Sequence, residues 1–504
     1  MPVSNAAVQQ QRQGSPAITT PPVPAPIGGL NTRDALNIMP ETDAIQLDNW
    51  FPDTDSLSLV EDYSSYATSL AGNAEFLAEY HSASTRKFIA ASGGSIFDIT
   101  TGSAPVLLAN GFNTARWNYV NFNARMFMVN GQDDPQTFDG TSISDSSFTG
   151  SGLTPSNLIG VASFKNRLFF FEKDSQDFWY AGLNSITGTL TKFPLSLVGR
   201  VGGNMVAIKT ISRDGGSGTD DYIAFLMSSG EVFIYQGSDP GDSASWSLVG
   251  RYKIGEPIQQ RAILEYGSDV LIVTKGDVIT LTDVMTKKPD EILPSKLSGA
   301  IAEAAKDYGD NYGWQAVYFP GGNRVLVNVP VIEGAKYWQY GFNTITKAAF
   351  RFTSMQATCF GIYNNELYFG GADGVVYKCG KTNRTNSLTA IVQPAFSALG
   401  NGGKKKFIQI AHTMRILGRA NFSLKTAFDY GNPANKQEYS NVTFGTPWGS
   451  PWGSPWSKQG LMNRDRRGLS GVGTTFSYKL EVSVTGQDVT WYDTRVKYQP
   501  LTKF

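Results

Sequence analysis

The chain is poor in charge, cysteine and histidine, and each shortage excludes a class of protein. Of its 504 residues, 17% are charged, against about 25% in an average soluble domain. Lys plus Arg and Asp plus Glu each number 43, so the formal net charge is zero. A global basic field for nucleic acid is thereby ruled out, although a local patch is not. Two cysteines, Cys359 and Cys379, cannot make a disulfide scaffold. Two buried free thiols are the expectation. Two histidines, His81 and His412, exclude a histidine-rich metal site, and each is expected to be structural. No run of about 18 apolar residues occurs, so nothing reads as a transmembrane helix. The first 26 residues hold no apolar stretch of signal-peptide length. The expectation is synthesis in the cytoplasm, with any exit from it made without a Sec-type signal.

Motifs that carry chemistry are equally scarce. Gly403-Lys404 lacks the first glycine and the Ser or Thr of a phosphate-binding loop. Asp53-Thr54-Asp55 opens like a calcium loop but lacks the glycine at position six and the acid at position twelve. Ser212–Thr219 resembles an Asp-box without its closing aromatic. No catalytic residue, metal site or cofactor site is assigned, and the chain reads as a non-enzyme.

What the chain has is glycine, 53 residues, together with Ser, Thr and Asn, a mix suited to turn-rich β structure. It also has an internal repeat. Phe122-Asn-Ala-Arg125-Met-Phe127 returns as Phe164-Lys-Asn-Arg167-Leu-Phe169, forty-two residues later. A weaker copy is Tyr363-Asn-Asn-Glu366-Leu-Tyr368. A second signature, Gly-x-Ile/Val, opens alternating strands at Gly94, Gly230, Gly276 and Gly374. Each unit reads as a hairpin with one buried face. Such hairpins cannot bury their faces singly, and stacked radially they make propeller blades of about 40–50 residues. Repeat starts near Arg86, Phe122, Phe164, Asp221, Tyr266, Trp314 and Tyr363 count to six or seven.

The expected fold class is all-β: a propeller of about six blades over residues 80–380 and a β-sandwich-like domain over 381–504. Residues 1–27, rich in Gln, Pro and Ala, read as an extended or disordered arm that orders, if at all, against a neighbouring subunit. Residues 28–79 are expected to pack on the propeller. Residues 295–306 are the clearest helix, capped by Ser295 or Ser298. Within the last domain, the loop 446–457 carries a Pro-Trp-Gly-Ser tandem with Trp448, Trp452 and Trp456. These three, with Trp50 and Phe51, are the candidate partner-interface residues, since Trp dominates interface hot spots. Lys404, Lys405 and Lys406 are the candidate contacts to DNA phosphates. Folding of the Trp loop over its own domain, and solvation of the Lys run, are the plainer readings.

The segment GGLNTRDALNIMPETDAIQLDNWFP, residues 28–52, resembles the N-terminal block of structural proteins of tailed bacteriophages. The matching positions are Gly28, Gly29, Asn31, Arg33, Asp34, Met39, Asp43, Ala44, Leu47, Asn49, Trp50, Phe51 and Pro52. The layout as a whole is similar to the tail hub, or nozzle, family of short-tailed phages, also called tail tubular or packaged-DNA stabilisation proteins. The resemblance implies a virion protein that forms a six-fold homo-oligomeric ring below the portal and adaptor. Its lumen would pass double-stranded DNA without sequence-specific binding. Its expected partners are the adaptor or connector protein and a fibre, spike or tip protein. A near-neutral lumen suits that task, because many phosphate contacts would hold DNA that must leave. The reading from another class is a carbohydrate-binding or carbohydrate-active propeller, marked by acids converging on its axis or by Trp448, Trp452 and Trp456 stacking on sugars.

Overall fold

A computed structural model describes residues 17–214, 219–381, 384–400, 402–416, 418–443 and 461–501. The chain divides into two compact units. One comprises Leu30–Asp34 and Val60–Leu388; the other takes the described residues up to Gly29, Ala35–Leu59 and those from Thr389 onward.

The first unit is a β-propeller. Its inner strands are Ala74–His81, Asn118–Phe122, Leu158–Phe164, Met205–Asp214, Ile263–Tyr266, Gln315–Phe319 and Cys359–Tyr363. Each neighbours the next, and the last neighbours the first. Six of the sheets they begin are four-stranded blades. The fifth in order has three strands, and helix α1 (Leu281–Thr286) follows in place of a fourth. Leu281 and Val284 of α1 enter the same apolar cluster as Ile263, Val270 and Ile272, so the helix fills the position of the missing strand. We number the sheets 1 to 7 in this order. In blade 7 the fourth strand is Asp62–Ala67, paired antiparallel with Val376–Lys381, so a segment preceding blade 1 closes the ring.

The repeats are explained by turn geometry. The three aromatic copies are the hairpins between the first and second strands of blades 2, 3 and 7. Their turns have positive φ at both positions: Asn123 46° and Ala124 55°, Lys165 44° and Asn166 58°, Asn364 50° and Asn365 60°. Two-residue turns of this hand match the twist of the strands they join, and Asn tolerates that region better than most side chains. The glycine signature marks the next turn outward, between second and third strands, where Gly94, Gly230 and Gly374 have φ of 73°, 81° and 73°. The cores lie between blades. Phe169, Phe178, Phe225, Tyr235 and Trp246 join blades 3 and 4, with Phe178 and Phe225 stacked at 4.4 Å. Cys359 and Cys379 are buried free thiols, and burial pushes both up to about 12.

The helix expected at 295–306 is α2, Ser298–Tyr308. Neither serine caps it through its side chain. The Ser295 hydroxyl is instead taken by the Asp277 carboxylate at 2.6 Å.

The second unit, named the sandwich unit for the domain expected there, holds two sheets. One runs Leu461–Gly473, Lys405–Ile416, Val489–Pro500, Leu57–Leu59, Trp50–Pro52. The other runs Asp43–Asp48, Ser387–Pro394, Phe476–Thr485, Gly418–Phe428, Ala434–Thr443. Rings from the two sheets meet: Phe407 and Phe476 at 4.7 Å, His412 and Tyr478 at 5.1 Å. Asn49 is the point where the chain leaves one sheet for the other. It sits at φ 61°, and its Nδ2 donates to Thr389 O at 2.8 Å. The segment 28–79 is therefore shared between both units.

The described part of the N-terminal arm lies on its own chain. Ile18–Thr19 and Val23–Pro24 pair with Val489–Pro500, on the side that Leu57–Leu59 also uses. Proline has no N–H to give a ladder, and Pro21, Pro22, Pro24 and Pro26 keep these pairings to two residues each.

Candidate functional site

The inner strands of a propeller expose their edges to the axis, so the residues just before each first turn face a common space. Here that space is a cavity of about 480 Å³, walled by residues from all seven sheets. Blade 2 supplies Asn118, Tyr119 and Asn121; blade 3 Val161 and Ser163; blade 4 Lys209 and Thr210. The fifth sheet supplies Arg261, Leu264 and Glu265, and His81 stands at the end of the first inner strand.

Arg261 comes from the short turn Gln260–Ala262 that precedes its strand. Its guanidinium donates to Glu75 O at 2.7 Å and Trp117 O at 2.6 Å. Those carbonyls belong to blades 1 and 2, on the opposite side of a seven-membered ring, so Arg261 bridges the axis. Arg116 completes the network. It donates to Glu75 at 3.0 Å and Glu333 at 2.6 Å, with its guanidinium 3.9 Å from the centre of the Tyr312 ring. Burial alone would raise the Glu333 carboxyl, but the Tyr312 N–H and Arg116 hold it below the ordinary range. All these groups sit at the starting ends of the inner strands, and together they brace that end of the axis.

Further along, Asn121 Nδ2 donates to Glu79 O at 2.8 Å, tying blade 2 to blade 1, and Asn118 Nδ2 donates to Ile159 O at 2.9 Å, tying it to blade 3. Asn121 Oδ1 is left without a partner. Tyr119, 39% exposed, sets its ring edge-on to Phe76 at 5.5 Å. Burial in the wall, with Glu79 and Glu265 nearby, pushes its phenol up to about 12. Glu265 is the single acid among the described residues lining the cavity. Among the described residues no group of three or more His, Cys, Asp or Glu is placed to hold a metal ion, and no helix is long and apolar enough to cross a membrane.

The residues singled out from the sequence stand elsewhere. Trp50 and Phe51 are 0% and 8% exposed, with Trp50 against Trp491 at 6.3 Å. They build the core of the sandwich unit and present nothing to a partner. Lys405 is likewise buried at 0% exposure, donating to Gly403 O and Thr474 O at 3.1 and 3.2 Å, and burial lowers its pKa. Strand alternation is the reason, since it turns Lys405 inward and leaves Lys404 and Lys406 exposed. Trp448, Trp452 and Trp456 lie outside the described residues.

The phage-like block has a local logic of its own. Asn31 Oδ1 accepts from the Arg33 and Asp34 N–H groups, and Asn31 Nδ2 donates to Asp34 at 2.8 Å. Arg33 bonds Asp34 at 2.8 Å and Pro294 O at 3.0 Å. Its guanidinium, then Asn31, holds the Asp34 carboxyl down at about 2. Thr32 adds a bond to Lys296 O at 2.9 Å and receives the Ala300 N–H at 3.1 Å. Residues 31–34 thus latch onto the segment that leads into α2, within the propeller unit.

Sequence reasoning missed Arg261, Tyr119, Lys209 and Glu265. One signal was available. The forty-two-residue offset that aligns Phe122 with Phe164 also aligns Asn121 with Ser163 and Tyr119 with Val161, and all four line the axis.

No protein-family model matches the chain, and no curated protein does. Solved structures match weakly. The computationally designed Ika8 protein is 12% identical over 63% of this chain and 99% of its own, with a TM-score of 0.36. Raptor of Chaetomium thermophilum is 10% identical over 64% of this chain and 29% of its own, at 0.42. PorZ of Porphyromonas gingivalis, a component of the type-IX secretion system, is 10% identical over 79% of this chain and 60% of its own, at 0.38. Similarity at this level bears on neither function nor partners.

Proposed function

We propose that the chain is a structural protein of a short-tailed bacteriophage tail. Copies of it form a hub or nozzle ring, six-fold in the family it resembles, that extends the DNA exit channel, helps retain packaged DNA and seats a fibre, spike or tip protein. The observation that carries the reading is the 28–52 block. Its motif residues are structural pivots in both units: Asn31, Arg33 and Asp34 latch at α2, and Asn49 switches sheets ahead of buried Trp50. DNA passes through the lumen between copies and not along the propeller axis, because Arg261 bridges that axis.

The test is the mass of the purified chain by light scattering and its projection by negative-stain imaging, together with mass spectrometry of purified virions from a producing host. Rings with a central opening, and the chain in the virion, are expected. A chain that is absent from virions and stays monomeric with or without an adaptor protein overturns the reading. Removing residues 1–16 leaves the described pairings of the arm intact, so that truncation tests the arm alone, with weaker rings as the expected result.

A further inference from the structure

Beyond the hub reading, and independently of it, we propose that the axial cavity of the propeller binds a short neutral carbohydrate of mono- or disaccharide size. Its volume, about 480 Å³, falls inside the range of small-molecule sites, about 300–1,000 Å³. Arg261 bridges one end, so a ligand enters from the end where the inner strands finish.

The chemistry of the wall selects the class. Polar groups come from several directions: Asn121, Ser163, Lys209, Thr210 and Glu265 stand on four different inner strands. Among the described residues neither Lys209 nor Glu265 makes an ion pair, and their charges are opposite, so the wall calls for a ligand of no net charge. At the closed end two of the Arg261 N–H donors are already taken by backbone carbonyls. A ligand with one anionic pole, such as a phosphate or a carboxylate, would face Glu265; a cation would face Lys209. A hydroxyl both donates and accepts, so a ring of hydroxyls serves an ammonium, a carboxylate and an amide alike. The remaining wall is apolar, with the Tyr119 ring and Val161 and Leu264 side chains, and suits the C–H face of a pyranose.

The test uses the full-length protein and saturation-transfer NMR with glucose, galactose, N-acetylglucosamine, maltose and lactose, and with glutamate and inorganic phosphate as rivals. At least one sugar is expected to bind at millimolar concentration or below. Tyr119→Ala and Lys209→Met are each expected to weaken it about ten-fold or more, equivalent to about 1.4 kcal/mol. Glu265→Gln, which keeps the shape of an exposed side chain, does the same if either other variant fails to fold. No sugar binding, binding that none of the three variants weakens, or preferred binding of glutamate or phosphate overturns the proposal. Ring formation is read separately by mass, so failure of the hub reading leaves this result untouched.

Discussion

The propeller axis and the interior of the sandwich unit both hold ionisable groups, half-buried on the axis and fully buried in the sandwich unit, and they accommodate them in different ways. On the axis, Arg261 and Arg116 are half-buried and find acceptors for their guanidinium groups. Blades converge there from all sides, and their backbone carbonyls and two carboxylates take the guanidinium N–H groups. In the sandwich, His412 gives its charge up. Burial pushes its pKa down to about 3, and its Nδ1 meets only the Thr494 hydroxyl, at 2.9 Å. Two sheets with saturated ladders present side chains to each other, and few free carbonyls. Lys405 stands between the cases, near a strand end where the carbonyls of Gly403 and Thr474 are free to accept. A buried charge survives where loops end and backbone acceptors are open; elsewhere the neutral form is the cheaper one.

The largest expected effect falls on the apolar side of this comparison. Trp50→Ala empties a fully buried site, and a loss of about 3–5 kcal/mol in denaturant unfolding is expected. A variant that keeps full stability while losing partner binding would return Trp50 to the surface. On the charged side, Arg261→Met strands two carbonyls on the axis. A loss of about 3 kcal/mol is expected, with faster hydrogen exchange near Glu75 and Trp117. Arg261→Lys restores less than half of it, because an ammonium lacks the planar fork.

The neutral histidine makes a pH prediction. Its folded pKa lies below the unfolded value, so the unfolded chain takes up the proton first. Stability is complete above about pH 6.5 and is lost as pH falls toward about 3, at up to about 1.4 kcal/mol per pH unit. His412→Phe is expected to flatten that slope, and Tyr478 and Thr494 keep each other as partners at 3.0 Å. An unchanged slope would assign the loss to other groups. The smallest effect is at the first repeat turn. Ala124 holds φ 55°, so Ala124→Gly is expected to stabilise blade 2 by up to about 1 kcal/mol, read as a shift in unfolding midpoint.

The blades were legible because their turns are chemical. Asn123, Asn166 and Asn364 are written in the sequence at the spacing of the hairpins, and a hairpin that needs neighbours implies a ring. The count of six or seven was legible for the same reason, and Tyr266 and Gly276 marked the fifth sheet, although nothing in the repeat announced that helix α1 would stand in place of its fourth strand. Trp50 was misread as an anchor for a partner. The reading rested on the prominence of Trp at interfaces, and its true neighbour, Trp491, is far away along the chain. Lys405 was misread because a run of three lysines hides the alternation that buries its middle member.

What the sequence determined by itself is the local grammar: hairpin turns, the strand periods between them, and a helix near 295–306, observed as Ser298–Tyr308. These depend on residues a few positions apart, where sterics and hydrogen bonding act directly. What only the tertiary structure decided is which of those elements share a surface. The division of residues 28–79 between two units, the closure of blade 7 by Asp62–Ala67, and the axial wall of Tyr119, Lys209 and Glu265 all join residues distant in sequence. Such juxtapositions are set by the packing of whole sheets, a sum over many contacts that no single stretch of the chain contains.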